Sequence, residues 1–283
     1  MSRVSFITDE ASASPEDAIA FAHKYNLKWV ELREVPGAKK AYTDLTDSEL
    51  KSAARQLKEA GLRVAFFNSG GTKYALPGTE LVRWSKMAPA EVEKQRASHA
   101  AQHAKRMEIL QRSIAAAHAF DTKYIRVFSF GRVAEPEKLF PRVADELGGM
   151  GEIARKEGLL MLLENEPACN VGSCAEMAAL IAKLPESTFG LNWDANNGQS
   201  MKEKPYPDGY SLLPKHRIKH VHMHGRTLLD PEKMLDWKTI FAALVKDGFR
   251  GAAGLETHYF DGTKIEKSHL CMQRLQEILS IRS

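Results

Sequence analysis

The 283-residue sequence lacks several features that would indicate a particular class of protein. Its three cysteines, Cys169, Cys174 and Cys271, are odd in number and have no CxxC spacing, which disfavours a disulfide framework or a zinc knuckle. No apolar run approaches the roughly 18 residues of a membrane-spanning helix, so no membrane partner is expected. No signal peptide is visible either, and the sequence therefore predicts a reducing, cytoplasmic location.

A strong charge of one sign is also missing. The formal net charge is +4, from 40 basic and 36 acidic residues, and no block of five or six like charges occurs. A nucleic-acid-binding surface is therefore not expected. The hydrophobic share of 43% and the charged share of 27% are ordinary for a globular protein.

Short apolar runs alternate with longer segments of helical periodicity along the whole chain. The predicted strands are Arg3 to Thr8, Lys28 to Leu32, Arg63 to Phe67, Lys123 to Phe128, Leu159 to Leu163, Thr188 to Trp193, Arg217 to His222 and Gly251 to Glu256. The predicted helices cover about 14–25, 46–61, 90–120, 137–157, 174–183, 236–246 and 264–281. Residues 72–90 read as an irregular segment, such as often forms a functional lid.

Eight successive β–α units predict an α/β fold with a parallel sheet, and at this length they fit a closed (β/α)8 TIM barrel. We expect residues 1–283 to form a single domain. A doubly wound sheet is the alternative, but it would normally carry a glycine-rich phosphate loop after an early strand. Residues 8–12, which follow the first strand here, contain no glycine.

In such a barrel the functional side chains lie at the carboxyl ends of the strands. Four consecutive predicted strands end in Glu164, Asp194, His222 and Glu256. One acidic residue at a strand end is usually a helix cap or part of a surface ion pair, but carboxylates on adjacent strands would repel each other unless a cation lay between them. Three carboxylates and one imidazole favour Mn²⁺ or Mg²⁺, with Co²⁺ or Zn²⁺ as alternatives.

Three histidines, His220, His222 and His224, occupy alternate positions in the segment that ends the seventh strand. Residues two apart in a strand share a face, so all three imidazoles are expected on one side. His222 is the expected metal ligand, and His220 lies deeper, where an interior histidine is the simpler interpretation. His224 is predicted to lie just past the strand, either in contact with substrate or as part of the loop.

The ordered set of motifs resembles the xylose-isomerase-like TIM-barrel superfamily, in its sugar-phosphate isomerase/epimerase branch. The segments that carry the resemblance are Leu162 to Pro167, Leu191 to Asp194, Ile218 to His222 and Gly248 to Glu256. The resemblance implies that Glu164, Asp194, His222 and Glu256 bind one metal ion and that the two glutamates exchange protons with the substrate. The chain departs from the family pattern at Asn197, where members often have histidine, and at Gly225, where many have aspartate.

These residues predict a divalent-metal-dependent isomerase or epimerase of a sugar or sugar-derived keto compound that moves a proton through an enediolate. Glu164 and Glu256 are the expected catalytic residues. The candidate substrate-binding residues are Glu31, Asn68, Arg126, Asn165, Trp193, Asn197, His224 and Arg226. A metal-dependent dehydratase is the main alternative, followed by an apurinic-endonuclease-like hydrolase and a non-catalytic sugar-binding barrel. Assembly into a homo-oligomer stays open.

Overall fold

A computed structural model describes residues 3–279 of the chain. Within this range the strands are β1 (Val4–Phe6), β2 (Trp29–Leu32), β3 (Glu34–Val35), β4 (Lys40–Ala41), β5 (Arg63–Phe67), β6 (Tyr124–Val127), β7 (Leu160–Glu164), β8 (Phe189–Asp194), β9 (Ile218–His224) and β10 (Ala252–Glu256). All eight predicted strands are present, and β3 and β4 form an additional antiparallel pair.

Eight of these strands form one sheet in the order β1-β10-β9-β8-β7-β6-β5-β2. A parallel bridge between Ile7 and Glu31 joins the chain after β1 to β2, which are the two ends of that order. This is the strand order of a parallel (β/α)8 barrel, so the predicted fold class is confirmed.

The helices are α1 (Thr8–Ala11), α2 (Pro15–Lys24), α3 (Asp47–Glu59), α4 (Pro89–Ala104), α5 (Arg106–Ala119), α6 (Pro136–Lys156), α7 (Cys174–Ile181), α8 (Ala195–Ser200), α9 (Tyr210–Leu212), α10 (Arg226–Leu229), α11 (Trp237–Lys246) and α12 (Lys264–Leu279). Short-range signals fix several of their starts. Ser14 caps α2, which has proline at its first position, and Thr46 with Glu49 forms a capping box on α3. Among residues 3–279, no helix has the length and apolarity to cross a membrane.

Three predictions from local patterns need correction. The helix expected over residues 90–120 is two helices, α4 and α5, which meet at Lys105. Strand β9 continues to His224, so this histidine belongs to the strand and does not follow it. The segment after β5 contains a short 3-10 helix, Val82–Lys86, and buries Ala75, Leu81 and Trp84. The lid role suggested for this segment stays a prediction. The predicted end of the last helix, Ile281, lies outside the described residues.

The described chain divides into two compact units. The first unit comprises residues 3–68, 115–124 and 218–279, and the second comprises residues 69–114 and 125–217. In the first unit β1, β10 and β9 pair in parallel, as do β2 and β5. In the second unit β7 pairs in parallel with β8, which places Glu164 opposite Asn192. The prediction of a single domain stays a prediction.

Candidate metal centre

The three alternate histidines of β9 lie in the first unit, beside β10. His220, His222 and His224 pair in register with Ala252, Gly254 and Glu256. Packing requires glycine at position 254, because a Cβ atom there would collide with Oε1 of Glu31 and crowd the ring of His220. The absence of a side chain at position 254 therefore lets a carboxylate from β2 reach the histidines of β9.

Glu31 is completely buried and is surrounded by donors of the first unit. Ser5 donates to its Oε1 at 2.7 Å, and Asn68 donates through Nδ2 to its Oε2 at 2.9 Å. Nε2 of His220 lies 3.0 Å from Oε1, and Nε2 of His222 lies 2.9 Å from Oε2. Burial raises the pKa of the Glu31 carboxyl, but the two histidines outweigh it and hold the pKa below its ordinary value.

The contact with Glu31 fixes the orientation of His222. If Nε2 carries the proton that it donates to Glu31, a neutral imidazole presents the lone pair of Nδ1 on its other side. That Nδ1 atom lies 3.4 Å from Oε2 of Glu256. A histidine whose far nitrogen is held by a carboxylate is the common arrangement of a metal-binding imidazole.

Glu256, at the end of β10, has different neighbours at its two oxygens. Oε2 lies 3.4 Å from Nδ1 of His222 and 3.4 Å from Nε2 of His224. Oε1 accepts from Nη1 of Arg33 at 3.2 Å and lies 3.4 Å from Nδ1 of His258. Burial raises the pKa of the Glu256 carboxyl, but contacts with His224 and His258 hold it well below its ordinary value.

The candidate metal-binding groups within the first unit therefore share their members with this network. The potential ligand atoms of Glu31, His220 and His222 lie within 4.8 Å of one another, as do those of Glu10, Glu256 and His258. In the first set the carboxylate already accepts hydrogen bonds from Ser5 and Asn68. Glu31 is thus better placed to orient the histidines than to bind an ion itself.

In the second unit, Glu164 at the end of β7 is held by an amide and a guanidinium. Its Oε2 accepts from Nδ2 of Asn192 at 2.8 Å and from Nη1 of Arg126 at 3.4 Å. Arg126 is itself fixed by donating through Nε to the Ser69 carbonyl at 3.2 Å. All of these side chains are buried, so the carboxylate has a defined direction at the end of its strand.

Asp194, at the end of β8, is held by two asparagines of the same unit. Its Oδ1 accepts from the backbone N–H of Asn197 at 2.9 Å and so caps α8. The amide of Asn165 accepts from the backbone N–H of Asp194 at 2.9 Å and donates to its carbonyl at 2.8 Å. Nδ2 of Asn197 donates to the Asn165 carbonyl at 2.9 Å, which ties the ends of β7 and β8 together.

Two predicted substrate-binding residues lie apart from these clusters. Trp193 is fully buried and packs on Tyr210, with ring centroids 5.1 Å apart. It occupies the face of β8 opposite to Asn192 and Asp194, because successive residues of a strand point to opposite sides. Arg226 is exposed, with its guanidinium 5.7 Å from the ring centre of Tyr259.

Three residues that contact predicted ligands were not among the predicted site residues: Arg33, His258 and Asn192. A signal was available in each case. Arg33 and His258 follow Glu31 and Glu256 by two residues, just beyond the ends of β2 and β10, and Asn192 precedes Asp194 by two on the same face of β8. The sequence did not show which of these neighbours would meet.

The sequence matches the xylose isomerase-like TIM barrel family over residues 19–275, which is most of the chain. The protein belongs to this family. A search of curated proteins gives no match.

Several solved structures have the same fold at low sequence identity. The zinc-containing IOLI protein has a TM-score of 0.71 and 14% identity, with 98% of both chains covered. L-ribulose 3-epimerase has a TM-score of 0.67 and 18% identity, with 99% of this chain and 93% of that chain covered. The probable 3-DHS dehydratase AsbF of Bacillus anthracis has a TM-score of 0.68 and 16% identity, with 99% and 100% covered. At such identities the likeness shows the fold.

Proposed function

We propose that this protein is a divalent-metal-dependent isomerase or epimerase of a sugar or sugar-derived keto compound. The observation that carries the proposal is the orientation of His222, whose Nε2 lies 2.9 Å from the buried Glu31 and whose Nδ1 lies 3.4 Å from Glu256. The fold of the family and the carboxylates at the ends of β7 and β8 support it.

The donor atoms of the first unit fit a divalent cation. Two ligands about 2.1 Å from one ion, at the angles of tetrahedral or octahedral geometry, lie roughly 3.0–3.4 Å from each other. The distance of 3.4 Å between Nδ1 of His222 and Oε2 of Glu256 falls in this range. The side chains around these atoms are buried, so the ion would compensate charge that water does not reach.

In this proposal Glu164 and Asp194 complete the ligand set with His222 and Glu256. Three carboxylates and one imidazole are a mostly hard donor set, which suits Mn²⁺ or Mg²⁺. Zn²⁺ and Co²⁺ remain alternatives, and the zinc in the IOLI protein gives zinc some support. Because the four ligands come from both units, the proposal also requires residues 1–283 to act as one domain.

When bound, the cation would hold the substrate's carbonyl and neighbouring hydroxyl oxygens and stabilise the negative charge of an enediolate. One of Glu164 and Glu256 removes the proton next to the carbonyl. The other glutamate returns a proton, on the opposite face of the same carbon in an epimerase or at the neighbouring carbon in an isomerase. Asn68, Arg126 and His224 orient the substrate hydroxyl groups, and Glu31 and Asn165 hold the ligands in place.

The same site supports a dehydratase as a second candidate, because an enediolate can also expel a hydroxyl group from the next carbon. Two observations favour keeping this alternative. The probable dehydratase AsbF is similar over the whole chain, and its TM-score is close to that of the epimerase. In addition, the side-chain amide of Asn197 donates to the carbonyl of Asn165, and this position offers no imidazole to a sugar.

The test is metal analysis together with proton exchange in D₂O. The purified protein, loaded with Mn²⁺ or Mg²⁺, is incubated with a panel of ketoses, aldoses and keto acids, and the substrates are followed by NMR. We expect deuterium to enter next to the carbonyl, with an epimer or isomer as product. An α-keto or ultraviolet-absorbing product without an epimer would identify the dehydratase instead. A protein that binds no divalent ion and exchanges no proton contradicts the proposal.

A further inference from the structure

The guanidinium of Arg33 lies among three carboxylates of the first unit. Nη2 is 2.6 Å from Oδ2 of Asp9 and 2.9 Å from Oε1 of Glu10, and Nη1 is 3.2 Å from Oε1 of Glu256. Nε donates to Asp9 as well, at 3.2 Å. The three carboxylate side chains are at most 7% exposed, and Arg33 is 23% exposed. The guanidinium is thus the centre of a nearly buried acidic cluster.

We propose that Arg33 is a positioning residue that takes the place of a second cation beside the candidate metal centre. It holds Oε1 of Glu256, so that only Oε2 is directed to His222 and to the metal ion. This inference rests on the proposed function, since it assumes a divalent ion at His222 and Glu256. It predicts that the protein binds one divalent ion per chain.

Carboxylates are in surplus around Arg33. Asp9, Glu10 and Glu256 bring three negative charges into a region with little access to water, where carboxylates around a single guanidinium repel one another strongly. The ligand atoms of Glu10, Glu256 and His258 lie within 4.8 Å of one another, which would suit a metal ion. Arg33 already bonds both carboxylates of that set, so its fixed positive charge excludes a divalent ion there.

The two carboxylate oxygens of Glu256 contact different side chains. Arg33 and His258 lie at Oε1, whereas His222 and His224 lie at Oε2. A planar guanidinium with several donors in a rigid fork fixes a carboxylate better than a mobile ammonium group does. We therefore infer that Glu256 binds the metal ion through a single oxygen and that Arg33 sets which one.

The experiment compares metal stoichiometry in the wild type, Arg33→Met and Arg33→Lys. Arg132→Met is the matched control, because Arg132 is 22% exposed and pairs with Glu176 through 2.6 Å and 3.1 Å contacts in the second unit. Bound Mn²⁺ is counted after equilibrium dialysis, and thermal midpoints are measured in EDTA and in Mn²⁺. Turnover is measured on the substrate found in the D₂O panel.

We expect one equivalent of Mn²⁺ in the wild type, Arg33→Lys and Arg132→Met, and two in Arg33→Met. Arg33→Met should also lose at least tenfold in kcat and show a larger rise of its thermal midpoint on adding Mn²⁺ than the wild type. Two equivalents in the wild type would overturn the inference even if Arg33→Met does not fold. So would a single equivalent, with unchanged affinity and kcat, in Arg33→Met. A wild-type protein that binds no Mn²⁺ refutes the proposed function itself, and the inference with it.

Discussion

In the first unit, Glu31 and Glu256 are surrounded by imidazole and guanidinium groups, whereas the second unit holds its strand-end carboxylates largely through amides. Asp194 is fixed by asparagine side chains and a backbone N–H. Imidazoles change charge near neutral pH, whereas amides do not. The first unit therefore carries the titratable groups, and the second unit holds its carboxylates in a fixed frame.

The largest effect is expected when a carboxylate proposed to be catalytic is neutralised in either unit. Glu256→Gln and Glu164→Gln each keep the shape of the side chain but remove its ability to accept a proton. Because both residues are also proposed metal ligands, each variant is measured at saturating Mn²⁺, where kcat should fall by about 10²–10⁴-fold. The readouts are turnover, deuterium incorporation and metal content. Near-normal rates in metal-loaded Glu256→Gln would exclude its proton-transfer role, and a loss in only one variant would show that the units differ in catalysis too.

The next largest effect is expected on metal affinity in the first unit, where Glu31 contacts the proposed ligand His222. Glu31→Gln removes the negative charge that orients His222, and the affinity for Mn²⁺ should fall by about 10–100-fold. Affinity is measured by titration calorimetry. Glu186→Gln is the control, because Glu186 also pairs with a histidine, His216, at 2.8 Å, but on the surface with both side chains about two-thirds exposed. Equal affinities for the two variants would contradict the orienting role of Glu31.

A smaller effect is expected from the amide frame of the second unit. Asn165→Ala deletes the bonds to the N–H and the carbonyl of Asp194 and leaves both buried backbone groups without these partners. The free energy of unfolding should decrease by about 2–3 kcal/mol. Urea denaturation in EDTA measures it, and the loss should be the same at pH 6 and pH 8. A pH-dependent loss would show that the second unit is not a fixed frame.

The smallest effect is a pH dependence confined to the first unit. Burial lowers the pKa of His258, but contacts with Glu10 and Glu256 outweigh it and raise the pKa to about 9, from 6.5. A raised folded-state pKa stabilises the protein below pH 6.5, and that stabilisation is lost as the pH rises through 9. In EDTA, the urea midpoint should fall over this interval in the wild type and stay flatter in His258→Gln. The change is modest, because His258 is 39% exposed and screened by solvent. If the urea midpoints of the wild type and His258→Gln change in parallel with pH, the predicted contribution of His258 is refuted.

Much of the fold could be predicted, because its signals are local. The capping serine Ser14, the capping box at Thr46 and the apolar runs of the strands all depend on neighbouring residues. The break at Lys105 was missed because helical periodicity continues on both sides of it. The extension of β9 to His224 was missed because its pairing with Glu256 on β10 is not visible in the sequence around the histidine.

The sequence alone determined the order of the eight barrel strands and of the longer helices between them, the family, and the acidic or histidine side chains at the strand ends. Strand position and alternation follow from local periodicity. Only the tertiary structure decided which partner each of these groups has. Glu31 lies 3.0 Å and 2.9 Å from two histidines that are 189 and 191 positions away. Arg33 proved to be a neighbour of Glu256, 223 positions away. Such pairings depend on strand register and on a missing side chain at Gly254, and these are properties of the packed sheet.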